Sequence, residues 1–241
     1  MADVDVAQQA APVKRSDLPV RLASAAIMLA LAIGALSIGG AVFDAFVVLV
    51  AVIAFAEFVV LVLKANRSIV VRLAAIVAGA LYFGLAGGVL AGAGDFLIVL
   101  IVGATVFTDS FAYFSGRTIG GPRVAPSISP NKTWAGLIGG MIGAALWVVL
   151  WVVAIDGGIV GPRFELGLPL IAENLGAAAL LGAGLAVLAQ AGDFFQSWLK
   201  RRAGVKDSSR LIPGHGGVFD RVDGMLPVAI AVGALAAILA N

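Results

Sequence analysis

Seven long apolar runs, separated by short polar segments, leave this chain few possible folds. The runs cover residues 20–39, 44–63, 71–90, 96–115, 135–154, 175–195 and 226–240. A helix needs about 20 apolar residues to cross a bilayer, and only helices or closed barrels satisfy their backbone polar groups in lipid. We therefore predict an all-α fold, a polytopic integral membrane helix bundle with about seven or more transmembrane helices. The last run is short for a full crossing, so the number of helical pieces stays open.

The composition is that of a membrane protein with little soluble mass. Charged residues make up 12% of the 241 residues, whereas about 25% of the residues in soluble domains are charged. We expect a cytoplasmic N-terminal tail over residues 1–18 and a single transmembrane domain over residues 19–241. A cleaved signal peptide fits the first run less well, because its apolar core would cover about 7–15 residues. The chain has no cysteine, which excludes disulfides, thiolate metal sites and a cysteine nucleophile.

The lysines and arginines fall almost entirely on one side of the predicted bundle. If seven spans alternate, one side receives the six cations of residues 200–221 together with Lys14, Arg15, Arg21, Lys64, Arg67, Arg72, Arg117, Arg123 and Lys132. The other side receives Arg163, in a loop that also holds Asp156, Glu165 and Glu173. Cytoplasmic loops carry the excess of positive charge, so we expect a polar cavity facing the cytoplasm. Short loops favour a prokaryotic plasma (inner) membrane, and no separate basic domain exists for nucleic acid.

Residues 190–224 carry most of the functional information, because they hold dense charge between apolar runs. On a helix, the polar residues of its first part share one face: Gln190, Asp193, Ser197, Lys200 and Arg201. A carboxylate at the end of an apolar helix needs a partner, either a metal ion or a cation. A simple helix-end acid is the alternative interpretation of Asp193.

The second part of this segment combines glycines with paired acids. Lys206 and Asp207 precede the glycine-rich run 213–217, whose backbone could form an anion-binding nest or simply a tight turn. Asp220 and Asp223 are three residues apart, so both carboxylates can face one side of a helical turn, and such oxygen ligands suit Mg²⁺. His215 is the only histidine; a phosphate contact or a structural role is favoured over proton transfer.

An earlier polar region could form the other wall of the same cavity. Asp109, Tyr113 and Arg117 are spaced by four residues, which places them on one helix face. A partner on a neighbouring helix is the alternative role of Asp109. The loop of residues 120–134 adds hydroxyls and an amine suited to phosphate, from Ser129, Lys132 and Thr133, and Thr133 is a candidate N-cap for the next helix.

These residues resemble the signature of the CDP-diacylglycerol synthase family, also called phosphatidate cytidylyltransferases. The signature S-x-x-K-R, four residues, K-D, then H-G-G-x-x-D-R-x-D is matched by Ser197, Lys200, Arg201, Lys206, Asp207, His215, Gly216, Gly217, Asp220, Arg221 and Asp223, with Pro213 also in place. The upstream matches are Gln190-x-Gly192-Asp193, Asp109-x-x-Ala112-Tyr113-x-x-Gly116, Ser129-Pro130-x-Lys132-Thr133-Trp134-x-Gly136 and Glu57. The resemblance covers the chain from about residue 20 to its end.

The resemblance implies an enzyme that joins CTP and phosphatidic acid into CDP-diacylglycerol and pyrophosphate. It implies Mg²⁺, a membrane homodimer and a catalytic role for the transmembrane domain; a second cation such as K⁺ stays open. We expect metal ligation by Asp193, Asp220 and Asp223. The expected catalytic residues are these three with Lys200, Arg201, Lys206, Asp207, His215 and Arg221. The expected substrate-binding residues are Asp109, Tyr113, Ser129, Lys132, Thr133, Gln190, Ser197, Gly214, Gly216 and Gly217.

Three other functions remain as alternatives at this point. A cytidylyltransferase acting on another lipid phosphate would need the same residues. A CDP-alcohol phosphotransferase shares Asp220-x-x-Asp223-Gly224, but the A-R pair that should follow and the later spaced aspartates are missing. A transporter would also carry intramembrane acids, yet the sequence shows no inverted repeat of the kind that favours one.

Overall fold

The computed structural model describes residues 18–156 and 174–239. In these two ranges the chain forms eight helices and one two-stranded hairpin: α1 (Leu18–Ile38), α2 (Gly40–Ala65), α3 (Ile69–Gly92), α4 (Asp95–Thr118), β1 (Arg123–Ala125), β2 (Ser129–Thr133), α5 (Trp134–Asp156), α6 (Leu175–Arg202), α7 (Phe219–Val222) and α8 (Met225–Leu239). The predicted tail, apart from Leu18, and the predicted loop with Arg163, Glu165 and Glu173 lie outside the described residues.

The all-α membrane fold predicted from the apolar runs is confirmed. Six helices, α1 to α6, are long and apolar enough to cross a membrane, and they match the first six predicted spans. The seventh predicted span is a helix, α8, but at 15 residues it is shorter than a full crossing requires. It follows directly on the short helix α7.

The α7–α8 junction packs against α6 inside the bundle. Gly192 in α6 lies so close to this junction that a Cβ there would come 2.3 Å from the backbone oxygen of Asp223 and 2.9 Å from Pro227. The junction therefore meets α6 ten residues before that helix ends at Arg202.

Aromatic packing holds α7 in the interior. Phe219 is 1% exposed, and its ring centroid lies 6.2 Å from that of Phe58 in α2 and 5.2 Å from that of Phe83 in α3. Tilted and edge-on arrangements at these distances are favourable for aromatic pairs. This aromatic packing positions α7, and with it the neighbouring polar residues, against α2 and α3.

The segment between α4 and α5 differs from the predicted loop, because it contains a small antiparallel hairpin. Arg123 pairs with Thr133 and Ala125 pairs with Ser129. Pro130 is tolerated inside β2 because every strand of a two-stranded sheet is an edge strand. The hairpin lies beside the ends of α4 and α5 and forms one wall of a cavity.

Candidate active site

A polar cavity lies between α4, the hairpin and α6, and we call it the hairpin cavity. Its volume is about 610 Å³. Its lining includes seven residues that the sequence predicted for the site: Asp109, Tyr113, Ser129, Lys132, Thr133, Gln190 and Asp193. Arg117 lines it too, and the Arg117 guanidinium donates to the Tyr113 hydroxyl at 3.0 Å. The prediction that Asp109, Tyr113 and Arg117 face one cavity is therefore confirmed.

Local contacts of the hairpin hold this cavity together. The Lys132 ammonium forms an ion pair with the Asp193 carboxylate and so links β2 to α6. The Thr133 hydroxyl accepts a hydrogen bond from the backbone N–H of Gly136 at 3.1 Å, which confirms Thr133 as the N-cap of α5. The guanidinium of Arg201 donates to the backbone oxygen of Ile128 in the hairpin turn, at 3.4 Å.

A cluster of carboxylates stands where this cavity meets the α7–α8 junction. Burial, together with the negative charges of Asp193 and Asp109, raises the pKa of Asp223 to about 7. Among the described residues, the Asp223 carboxylate accepts a hydrogen bond from the backbone N–H of its own neighbour, Gly224, at 2.9 Å. Carboxylates that repel one another without enough donors create a site that favours a bound cation.

Asp220 lies in a contrasting environment, three residues before Asp223. Its Oδ1 accepts from the Lys200 ammonium at 2.7 Å and from the Gln196 amide at 2.8 Å. Its Oδ2 accepts from the backbone N–H groups of Ser208 at 2.8 Å and Gly217 at 2.9 Å. Burial opposes ionisation of Asp220, but these hydrogen bonds outweigh it and lower its pKa to about 2.

Glu57 in α2 anchors the same loop from the other side. It is 7% exposed, and it accepts from the hydroxyls of Ser208 (2.9 Å) and Ser209 (2.6 Å). It also accepts from the backbone N–H groups of Val218 (3.1 Å) and Phe219 (2.8 Å), at the start of α7. The Ser208 hydroxyl is 2.8 Å from Asp220 as well, so it bridges the two carboxylates.

A second polar cavity opens on the far side of this loop, and we call it the basic cavity. Its volume is about 450 Å³. It contains six predicted site residues, namely Lys206, Asp207, Gly214, His215, Gly216 and Arg221. Four cationic side chains line it: Arg21, Lys206, Arg210 and Arg221. A single carboxylate, Asp207, faces them in the described part of its lining.

The structure thus divides the predicted site residues into two cavities and the wall between them. The remaining predicted residues appear in neither lining. The wall contains Ser197, Lys200, Gly217, Asp220 and Asp223, whereas Arg201 is exposed and contacts the hairpin turn. The proposed anion nest is partly used by the protein itself, because the Gly217 N–H donates to Asp220. Among the described residues, no three acidic or histidine side chains are close enough to hold a metal ion by themselves. The metal assignment stays a prediction.

Sequence reasoning missed several residues of this arrangement. Ser208, Ser209, Gln196 and Arg210 lie between or beside signature positions, and nothing in their spacing distinguishes them from neighbours. Arg21 was noted only for its charge. Glu57 was noted as a family position without a role; a carboxylate inside an otherwise apolar run is the signal that could have marked it as a partner of buried donors.

Comparison with known proteins agrees with the predicted resemblance. Residues 89–239 match the Cytidylyltransferase family. A phosphatidate cytidylyltransferase of Brucella melitensis is 41% identical over 149 residues, which cover 60% of this chain and 48% of that protein. Phosphatidate cytidylyltransferases of Haemophilus influenzae and Thermotoga maritima are each 39% identical, over 132 and 140 residues. Those matches cover 55% and 57% of this chain, and 42% and 47% of the relatives.

The matched part thus spans about half the length of these curated relatives. It includes the hairpin cavity, Asp193, Asp220, Asp223 and the glycine-rich loop, whereas Arg21 and Glu57 lie outside the matched residues. Since the family match covers more than half of the chain, this protein belongs to the Cytidylyltransferase family.

Proposed function

We propose that this chain transfers the cytidylyl group of CTP to phosphatidic acid, giving CDP-diacylglycerol and pyrophosphate. The observation that carries the proposal is the pairing of a carboxylate-containing cavity with a cation-lined cavity inside an apolar helix bundle. The names of the relatives support the choice of substrates. We also propose that the protein acts in the plasma (inner) membrane with both cavities open to the cytoplasm, and that it works as a homodimer.

The reaction requires two anions to meet rather than a protein nucleophile. An oxygen of the lipid phosphomonoester attacks the α-phosphorus of CTP. The bond from that phosphorus to the oxygen bridging to the β-phosphorus breaks, and the electron pair leaves with pyrophosphate. A phosphomonoester has a second pKa of about 6 and is largely ionised at neutral pH, so no strong general base is needed. The protein's task is positioning and neutralisation of charge.

The chemistry of the hairpin cavity fits a magnesium nucleotide. Mg²⁺ is usually bound by one or two carboxylates together with waters and substrate phosphates. Asp193 and Asp223, with Asp109 beside them, are the oxygen donors that would hold it, since burial and the charges of its two carboxylate neighbours raise the pKa of Asp223 and a cation would relieve both effects. The metal would neutralise phosphate charge when bound. Asp220, predicted as a ligand, would have to exchange hydrogen bonds from Lys200 or Ser208 for a metal contact.

The cations around the two cavities would neutralise the remaining charge. Lys132 and Arg117 lie in the hairpin cavity, where they can contact the triphosphate. Lys200 stands in the wall, next to Asp220 and close enough to Asp223 to affect its ionisation. Arg221 follows Asp220 directly in the chain, and its side chain lines the basic cavity. This arrangement places positive charge along the whole path between the substrates.

The test uses the purified full chain in detergent micelles with Mg²⁺, α-labelled CTP and phosphatidic acid. We expect label in the lipid phase and an equal amount of pyrophosphate in water, both lost when EDTA removes the metal. Diacylglycerol without a phosphate should accept no label. Transfer to another lipid phosphate in place of phosphatidic acid would contradict the substrate assignment, and folded protein without any transfer would contradict the reaction.

A further inference from the structure

Four cationic side chains converge on the basic cavity, and no ion pair neutralises them in the described part of the chain. Within residues 18–156 and 174–239, the ion pairs shorter than 4.0 Å are Lys132–Asp193 and Lys200–Asp220. Arg21, Lys206 and Arg210 therefore face this cavity without an ion-pair partner among the described residues. Cations held together in a concave site repel one another, and a multiply charged anion such as a phosphate relieves that repulsion.

A buried polar atom gives a second, independent indication of a ligand. The Nδ1 nitrogen of His215 is buried and has no hydrogen-bond partner in the described part of the chain. His215 lines the basic cavity. A buried nitrogen without a partner costs free energy unless something supplies the missing hydrogen bond, and a phosphate oxygen or its proton can do so.

Close contacts hold α1 against the glycine-rich loop at one side of the basic cavity. The Ser24 hydroxyl donates to the backbone oxygen of Pro213 at 2.8 Å. Gly214 adopts a φ of +73°, and a Cβ at this position would come 2.7 Å from Cγ of Arg21. Arg21 is therefore brought against the glycine-rich loop by specific packing, although it lies outside the residues that match the family.

An apolar cavity lies between α1, the helices α2 to α4 and the α7–α8 region. Its volume is about 250 Å³, and nearly all of its surface is hydrocarbon. From α1 it is lined by Leu29, Ala32, Ile33 and Leu36, and from the α7–α8 region by Val222, Met225 and Leu226. At about 1.5 Å per helical residue, Leu29 lies roughly 12 Å further along α1 than Arg21. Leu29 and Ile33 are 61% and 54% exposed in the described part of the chain, so this side of the cavity is open to the surroundings of the bundle.

We propose that α1 completes the binding site for the lipid substrate, with the phosphomonoester in the basic cavity and an acyl chain in the apolar cavity. A cationic site at the membrane surface with a hydrocarbon cavity beneath it has the charge and polarity of an anionic lipid. CTP has the charged part but no chain to fill the apolar cavity. The inference rests on the proposed function for the identity of the lipid. It assigns Arg21 as a substrate-binding residue and leaves the hairpin cavity to the nucleotide.

The assignment also explains how the two substrates approach each other. Arg221 lines the basic cavity, and Asp223, two residues later, stands beside Asp193 of the hairpin cavity. The turn that contains Arg221 and Asp223 would therefore connect a phosphate held by Arg21 and Arg221 to a nucleotide held near Asp193. The lipid enters sideways from the bilayer past α1, and the nucleotide enters from water.

The experiment measures binding of two probes to the full chain in detergent by titration calorimetry, without turnover. The probes are dihexanoyl phosphatidate and CTP with Mg²⁺. We expect Arg21→Gln to weaken dihexanoyl phosphatidate binding about tenfold, as loss of a charge-assisted hydrogen bond implies, and to leave CTP binding unchanged. Arg21→Lys should restore part of the loss. The matched control is Arg67→Gln, which removes an exposed cation of the α2–α3 loop that lines none of the three cavities.

The apolar cavity is tested by filling it. Ala32→Trp should weaken binding of dihexanoyl phosphatidate more than binding of glycerol 3-phosphate, which has no chains, and Ala32→Leu serves if the tryptophan prevents folding. Ala30→Trp, on an exposed position of α1 outside the apolar cavity, is the control. Equal loss in the Ala30 variant would overturn the assignment of the apolar cavity.

The outcomes separate this inference from the proposed reaction. Unchanged phosphatidate binding in Arg21→Gln, an equal loss in Arg67→Gln, or a loss of CTP binding instead would each overturn the lipid site. Protein that makes CDP-diacylglycerol with an unaltered KM for phosphatidate in Arg21→Gln would overturn the site and keep the reaction. Protein that shows the expected binding losses but forms no CDP-diacylglycerol would keep the site and overturn the reaction.

Discussion

The hairpin cavity and the basic cavity differ in the balance of charge along their linings. Two carboxylates, Asp109 and Asp193, and two cations, Arg117 and Lys132, line the described part of the hairpin cavity, where Lys132 is paired with Asp193. Four cations and a single carboxylate, Asp207, line the described part of the basic cavity, whereas the neighbouring Glu57 and Asp220 are engaged by hydroxyls, an ammonium and backbone N–H groups. In our proposal the first cavity takes the metal nucleotide and the second takes the lipid phosphate.

The comparison shows how one short segment can serve both purposes. Asp220 and Asp223 are three residues apart, yet the first stabilises the loop and the second faces a repelling neighbour. The ion pair that contains Asp220 is also less exposed than the ion pair of the hairpin cavity. The side chains of Lys200 and Asp220 are 15% and 6% exposed, whereas those of Lys132 and Asp193 are 23% and 32% exposed. The ion pair of the wall is thus the more buried one, and the ion pair of the hairpin cavity is the more accessible one.

The largest expected effect comes from the carboxylate that the hairpin cavity exposes. Asp193→Asn should lower kcat about a thousandfold, because it removes a ligand charge where the metal nucleotide would bind. The thermal midpoint in detergent should change little, since the ion pair that is lost is partly exposed. Asp95→Asn, at the exposed first residue of α4, is the control and should keep full activity. Near-normal turnover in Asp193→Asn would remove the basis for placing the metal nucleotide there.

The next effect compares the two ion pairs directly. Lys200→Met should destabilise the folded protein by about 4 kcal/mol, because it leaves the buried Asp220 carboxylate short of its cation. Lys132→Met, which breaks the more exposed pair, should cost about 1 kcal/mol or less. Thermal unfolding of both variants in the same detergent provides the measurement. Equal destabilisation by the two substitutions would show that the more buried ion pair stabilises the fold no more than the exposed one.

A somewhat smaller loss is expected when Glu57 becomes an amide. Glu57→Gln keeps the shape but turns one acceptor into a donor facing Ser208 or Ser209, so we expect a loss of about 3 kcal/mol. The loop that presents His215 and Arg221 should loosen, and hydrogen exchange of the Val218 and Phe219 amides should accelerate. Protection of these amides at the wild-type level would contradict the anchoring role.

The smallest effect is a pH dependence of stability. The pKa of Asp220 is lowered to about 2 in the folded protein, against an ordinary value near 3.9 for aspartate. Its contribution of about 2 kcal/mol is therefore fully present above pH 4 and is lost as the pH falls through 2. The difference in thermal midpoint between wild type and Asp220→Asn should shrink from pH 5 to pH 2. A difference that stays constant over this range would show that Asp220 is not stabilised as the ionised form.

Sequence reasoning reached those features that depend on local geometry. Asp109, Tyr113 and Arg117 face one cavity because helix periodicity places them on one face, and Thr133 caps α5 because the capping interaction spans only three residues. The six long helices follow from the length of their apolar runs. Each of these features depends on residues that are close to one another in the sequence.

The features that depend on contacts between residues far apart in the sequence could not be predicted from these local patterns. Glu57 meets Ser208 across 151 positions, and Ser24 meets Pro213 across 189. The separation of Asp220 from Asp223 depends on which neighbours the fold supplies, because their spacing alone would allow both to share one ion. The division of the predicted residues into two cavities likewise arises from the entry of the 203–224 segment into the bundle.

The claim that each cavity takes a different substrate is tested most directly by a matched pair of arginine variants. Arg117→Gln removes an exposed arginine from the hairpin cavity, and Arg21→Gln removes one from the basic cavity. With CTP and phosphatidic acid varied independently, Arg117→Gln should raise the KM for CTP and Arg21→Gln the KM for phosphatidic acid, each about tenfold. If both variants raise the same KM, the two cavities do not divide the substrates and the account is contradicted.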